Sequence, residues 1–334
     1  MKYLRRAVSL VMLCAVLAVG TGWWWINQPL RLASDSVELS VEQGNSPRDI
    51  ASAWVQGGVQ TSALLLFEWF RWSGDARRIR AGSYEISRGV TPRDLLNKMV
   101  RGDESLATVR LIEGWTFKQF RAELAKADSL KPATALLSDA DIMAALGEPG
   151  MAPEGRFYPD TYAYSKGVSD LAVLKRAHHA MQMRLAAVWA EKSRDTPLRT
   201  ATDALILASI VEKETGAAAD RGKVAGVFVN RLRIGMPLQT DPTVIYGMGA
   251  AFDGNLRKRD LQTDTPFNTY LRGGLPPTPI AMPGKAALMA SVKPDPTKAL
   301  YFVSRGDGTS EFSNDLAAHN LAVNQFIRGR AALK

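Results

Sequence analysis

The sequence is poor in the residues from which most reactive centres are built. One cysteine, Cys14, stands in 334 residues, so no disulfide can form within the chain and no cysteine-based metal cluster can assemble. Three histidines, His178, His179 and His319, leave little from which to make a zinc site, so no metal is expected. No G-x-S-x-G, S-x-x-K, H-E-x-x-H or G-x-x-x-x-G-K-[ST] occurs, which removes serine acylation, zinc peptidase and P-loop chemistry in their usual forms. Nothing asks for a cofactor. What is present is a chain 46% hydrophobic, enough to bury a real core in one larger and one smaller domain. Its 42 Lys and Arg against 33 Asp and Glu give +9. That balance suits a polyanionic neighbour such as an acidic wall polymer or an anionic membrane, and a well-solvated surface produces the same count. The basic residues are dispersed, which argues against nucleic acid.

Residues 7–26, AVSLVMLCAVLAVGTGWWWI, carry no charge, and ~20 residues at about 1.5 Å each span a hydrocarbon core. Lys2, Arg5 and Arg6, in a tail of residues 1–6, should stay in the cytoplasm. Everything after Asn27 would then lie across the membrane. A cleaved signal peptide is the rival reading, because Ala18-Val19-Gly20 has the small-x-small form of a cleavage site. Trp23, Trp24 and Trp25 stand where an interfacial aromatic belt belongs and favour a retained anchor.

Beyond the anchor, VELSVEQGNSPRDIA (37–51), GSYEISRGVTPRDLL (82–96) and TVRLIEGWTFKQF (108–120) repeat one design. An alternating strand runs through a glycine to a hydroxyl residue that opens a helix. Ser46, Thr91 and Thr116 read as N-caps, Pro47 and Pro92 as first helical residues, and Asp49, Asp94 and Gln119 fall where they close capping boxes. With a second helix over 61–72, residues 37–105 form a small β-α-α-β module. The remainder, 106–334, alternates helices and short strands without a βαβ rhythm, which predicts an α+β fold. It includes a long helix over 169–192, with His178 as a satisfied core histidine, and a hairpin over 299–313.

Two glutamates stand two positions apart in ASIVEKETG (208–216). On a helix over 203–215 ended by Gly216, with Leu207 at zero and ~100° per residue, Glu214 falls about 20° away, in the middle of the apolar face, and Glu212 about 140° away, toward solvent. A carboxyl on an apolar face must be paired, be neutral or line a cleft, because desolvating a carboxylate costs several kcal/mol. Desolvation also lifts a glutamate toward the range in which it can donate a proton at neutral pH. Glu214 is therefore the candidate general acid, with a structural pair to Arg221, Arg231 or Arg233 as the alternative. Glu212 reads as a surface residue. Downstream loops rich in Asn230, Gln239, Thr240, Asp241, Asn268 and Tyr270 could position the hydroxyls of a sugar. Asp241 reads as the N-cap of a short helix through Tyr246.

IVEKETG (210–216), VFVNRLRIGMPLQTDPTVIYGMG (227–249), TPFNTY (265–270), GLPPTPIAMPG (274–284), LYFVSRGDGTSEFSNDLAAHN (300–320) and EGRFYPDTY (154–162) together resemble the YceG-like endolytic murein transglycosylases. The likeness runs from about residue 37 to the C-terminus. It implies that residues 37–105 are a LysM-like domain, that 106–334 are catalytic, and that the second glutamate of E-K-E, Glu214, is the acid. It further implies non-hydrolytic cleavage of nascent peptidoglycan strands at the outer face of the inner membrane, with a periplasmic catalytic domain. Each strand would end in 1,6-anhydro-N-acetylmuramic acid. Asn230, Gln239, Asp241 and Tyr246 are carried as supporting substrate contacts, and peptidoglycan synthases as candidate partners. A lysozyme-like hydrolase and a membrane-tethered, non-catalytic wall-binding scaffold remain as alternatives.

Overall fold

The computed structural model of the protein describes residues 2–328; Met1 of the expected cytoplasmic tail and residues 329–334 of the expected larger domain lie outside the described residues. The chain is mixed α+β and divides into two compact units. One takes in Met1–Thr108, Asp128–Lys131 and Ala163–Val168, the other Val109–Ala127, Pro132–Tyr162 and Ser169–Lys334.

The first unit begins with α1 (Lys2–Ile26). Among the described residues it is the one helix long and apolar enough to cross a membrane, over Val8–Ile26. The module follows as β1 (Ser36–Val41), α2 (Pro47–Gln56), α3 (Ala63–Trp72), β2 (Gly82–Ser87) and α4 (Pro92–Arg101). β1 and β2 pair antiparallel, with Val37 opposite Ile86 and Leu39 opposite Tyr84. Trp54, Leu66, Phe70, Tyr84, Leu95 and Met99 fill the core between strands and helices. The junctions are built as their chemistry dictates. Gly44 and Gly89 take φ of +94° and +97°, which a side chain would resist. Ser46 with Asp49, and Thr91 with Asp94, then form reciprocal capping boxes at the starts of α2 and α4.

The second unit holds α5 (Phe117–Lys126), opened by the third capping box between Thr116 and Gln119, then α6 (Asp139–Ala145) and α7 (Asp170–Ala190). β3 (Leu106–Arg110) pairs with β4 (Thr161–Ser165), and each strand has residues in both units. The core is organised around α8 (Ala201–Glu214), which packs on α7, α9 (Arg221–Arg233), α10 (Asp241–Met248) and α12 (Lys285–Val292). The short α11 (Lys258–Leu261) comes between the last two in chain order. The hairpin of β5 (Tyr301–Ser304) and β6 (Ser310–Ser313) precedes α13 (Leu316–Val323).

Every residue of α8 from Ala204 to Val211 is buried. The reason is its sequence, ALILASIV, apolar on all sides apart from Ser209. That hydroxyl is satisfied: it donates to the Ile206 carbonyl (2.7 Å) and accepts from the Ile280 N–H (3.0 Å). Over this stretch the helix has no solvent face; beyond it Lys213 is exposed, and the surface position expected for Glu212 is corrected. Glu212 is half-buried, and its carboxylate accepts the Gly284 N–H at 2.9 Å at the start of α12. His178 also departs from expectation. It is buried beside Phe157, but its Nε2 has no hydrogen-bond partner, because Glu148 stops 3.9 Å away.

Candidate active site

α8 ends on Glu214, and the backbone turns extended at Thr215 (φ −139°, ψ 128°), one residue before the expected stop at Gly216. Glu214 is thereby delivered to the lining of a cleft of about 400 Å³. Phe228 and Arg231 of α9, the segment Leu238–Gln239, Asp241, Tyr270, the hairpin residues Tyr301 and Phe302, and His319 of α13 line it with Glu214. Glu214 is half-buried and accepts a 2.6 Å hydrogen bond from the Thr240 hydroxyl. Burial raises its carboxyl above the usual 4.5; the Thr240 bond opposes the shift, the Asp241 charge adds to it, and Arg231 opposes it. A carboxylate at a helix C-terminus also faces the negative end of the helix dipole. All but two of these influences favour the protonated acid.

Arg231 is near enough to favour the ionised form of Glu214, but it does not form the structural ion pair that was the alternative. Arg231 is buried, yet its Nε donates to the Leu300 carbonyl (2.7 Å) and a terminal nitrogen to the Leu238 carbonyl (2.7 Å). Arg233 turns to the Asp195 carbonyl. Among the described residues no salt bridge joins Glu214 to either, or to Arg221.

The bond from Thr240 is held in place from behind. The Thr240 N–H reaches the Thr269 hydroxyl (3.1 Å), the Gln239 N–H the Thr269 carbonyl (3.0 Å), and the Thr243 hydroxyl the Thr240 carbonyl (2.7 Å). Asn268 has no exposed surface and donates to the carbonyls of Leu261 and Thr263. TPFNTY is thus largely a clamp on LQTDP, and Asn268 touches no substrate. Gln239 sits at φ +51°, a left-handed conformation that costs a non-glycine residue roughly 1–3 kcal/mol unless its surroundings impose it. These bonds impose it, and they leave the Gln239 side chain exposed on the cleft wall.

The four supporting residues separate. Gln239 and Asp241 line the cleft with Glu214. Asp241 is the first residue of α10 and not its N-cap; its carboxylate makes no cap and instead accepts the Tyr270 hydroxyl at 2.6 Å. Asn230 is elsewhere: its amide donates to the carbonyls of Thr297 (2.9 Å) and Ala299 (3.1 Å), pinning the chain ahead of β5. Tyr246 is committed to a second buried carboxyl, Glu154, at 3.1 Å. Glu154 also accepts the Phe117 N–H at 3.0 Å, and burial lifts it to about 7. Sequence reasoning gave no role to Glu154, Tyr301 or His319. The motifs containing them are visible, but only folding brings residues so far apart onto shared surfaces.

A profile of the YceG-like family matches residues 39–325. An endolytic murein transglycosylase of Bacillus subtilis is 31% identical over 313 residues, 88% of this chain and 86% of that protein. One from Streptococcus pneumoniae is 25% identical over 328 residues; the match takes in 88% of this chain and 59% of the longer relative. The crystal structure of a YceG-like protein from Listeria monocytogenes superposes with a TM-score of 0.57 at 28% identity, covering 86% of this chain and 98% of that one. The chain belongs to the YceG-like family.

Proposed function

We propose that this protein is an endolytic murein transglycosylase that cuts nascent peptidoglycan strands and leaves 1,6-anhydro-N-acetylmuramic acid ends, with Glu214 as its acid. The name shared by its relatives supports the activity. The observation that carries the assignment to Glu214 is a desolvated carboxyl of a cleft-lining residue, hydrogen-bonded to Thr240 and without a salt bridge to arginine among the described residues. Its proton passes to the glycosidic oxygen as the bond from C1 breaks. The sugar's own 6-hydroxyl oxygen then bonds to C1 and returns its proton to the carboxylate, leaving the enzyme as it began. Because the nucleophile belongs to the substrate, no second carboxylate is needed to activate water, unlike the paired arrangement of ordinary glycosidases. Gln239 and Asp241 are placed to hold sugar hydroxyls in the same cleft.

The β-α-α-β module is LysM-like in this reading and holds glycan. A groove of about 320 Å³ beside Gly44, Asn45 and Arg77 offers it a place. α1 anchors the chain in the inner membrane with both units in the periplasm, beside the peptidoglycan synthases that make the strand. The test uses full-length protein in detergent and purified glycan strands. Glu214→Gln should abolish cleavage with an unchanged unfolding transition. The wild-type products should lack the added water that hydrolysis would introduce, as read by mass spectrometry. Asp241 is the one observation favouring a hydrolase, being a second carboxylate in the cleft. Products carrying that extra water would establish the hydrolase.

A further inference from the structure

His319 lies on α13, about a hundred residues beyond Glu214, and its ring forms part of the wall of the same cleft. The imidazole stacks on Tyr301, with ring centroids 5.2 Å apart and 24° between planes. Tyr301 is fixed in turn by Arg231, whose guanidinium carbon lies 5.2 Å from that ring. One nitrogen of His319, Nδ1, is buried and has no hydrogen-bond partner.

That orphan atom decides the tautomer. A neutral imidazole carries one N–H and one lone pair. Buried N–H groups without an acceptor are rarer than under-satisfied acceptors, so the proton belongs on Nε2 and the lone pair on Nδ1. A second proton on Nδ1 would bury an unpaired donor and set a cation near Arg231. Burial first, and Arg231 after it, hold the imidazole below its usual range. The ring is therefore neutral, its plane is set by Tyr301, and the proton sits on Nε2, the nitrogen that is not buried without a partner, in a residue that lines the cleft.

We propose that His319 contacts substrate directly, its Nε2–H donating to an acceptor oxygen of the glycan bound over Glu214. The proposal rests on the cleft being the glycan site, and it adds a neutral donor on the part of the lining that also holds Tyr301, Phe302, Leu316 and Asn320. A role confined to packing on Tyr301 would need no particular nitrogen, and that difference makes the proposal testable.

The test measures binding of purified glycan strands to full-length protein carrying Glu214→Gln, with His319 intact or replaced. Loss of one neutral hydrogen bond predicts that His319→Ala weakens binding roughly tenfold. His319→Gln, whose amide nitrogen reaches the position of Nε2, should restore most of it. His319→Asn, whose amide nitrogen matches Nδ1, should not. Unchanged affinity in His319→Ala, or equal affinity in the Gln and Asn variants, overturns the proposal. Should the Ala variant fail to fold, the Gln and Asn pair still decides. Persisting cleavage by Glu214→Gln itself would instead overturn the assignment of Glu214, and it is read separately from new strand ends.

Discussion

Glu154→Gln should alter how stability depends on pH more than stability itself. Glu154 is 6% exposed and is held by the Phe117 N–H and the Tyr246 hydroxyl. Burial raises its carboxyl from 4.5 to about 7, against the opposing pull of those two donors and the Gly155 N–H. Between 4.5 and about 7 the folded chain therefore keeps a proton that the unfolded chain has released. The contribution of this group is greatest below 4.5 and is lost as pH climbs through about 7. At about 1.36 kcal/mol per pH unit the whole swing is roughly 3 kcal/mol, on the order of 10 °C in melting temperature for a unit of this size. Glutamine keeps an acceptor for one of the donors and cannot ionise. The assay is thermal unfolding of full-length wild type and variant, followed by tryptophan fluorescence, from about pH 4 to about pH 9. Groups that titrate alike in both proteins cancel in the difference. The variant should gain on wild type by on the order of 10 °C between the two ends of that range. A difference that stays constant with pH refutes the reasoning.

Thr240→Val removes the hydroxyl that favours the ionised form of Glu214. The carboxyl should rise further, so cleavage should persist to higher pH, visible as an upward shift of the alkaline limb of the pH–rate profile. Asn230→Ala frees the carbonyls of Thr297 and Ala299. It should cost about 1–3 kcal/mol of stability while leaving KM for glycan strands at the wild-type value. Gly155→Ala meets two obstacles, a φ of +78° and the Pro279 ring 2.4 Å from the new methyl. Together they should destabilise by roughly 2–5 kcal/mol in chemical denaturation.

Local chemistry was legible from the sequence because its causes lie within a few residues. The capping boxes at Ser46, Thr91 and Thr116, the glycine turns before the first two of them, and the apolar span of α1 all follow from spacing alone. Glu214 could be singled out for a related reason: its spacing puts it on the apolar face of its helix, so its carboxyl had to meet either a partner or a cavity. The choice between those two belonged to tertiary structure. The partner that meets Glu214 is Thr240, from a loop clamped by Thr269, while Arg231 spends its donors on carbonyls. Likewise the helical wheel could not place Glu212, since the Gly284 N–H that its carboxylate accepts comes from 72 positions further along the chain. Asn230 and Tyr246 look like substrate contacts in a string of letters and become internal struts once their distant partners arrive. Hydrogen bonds and burial between residues far apart in the chain exist only after the chain has closed on itself, and it is there that the cleft, the Glu214 carboxyl within it and the imidazole of His319 beside it were brought together.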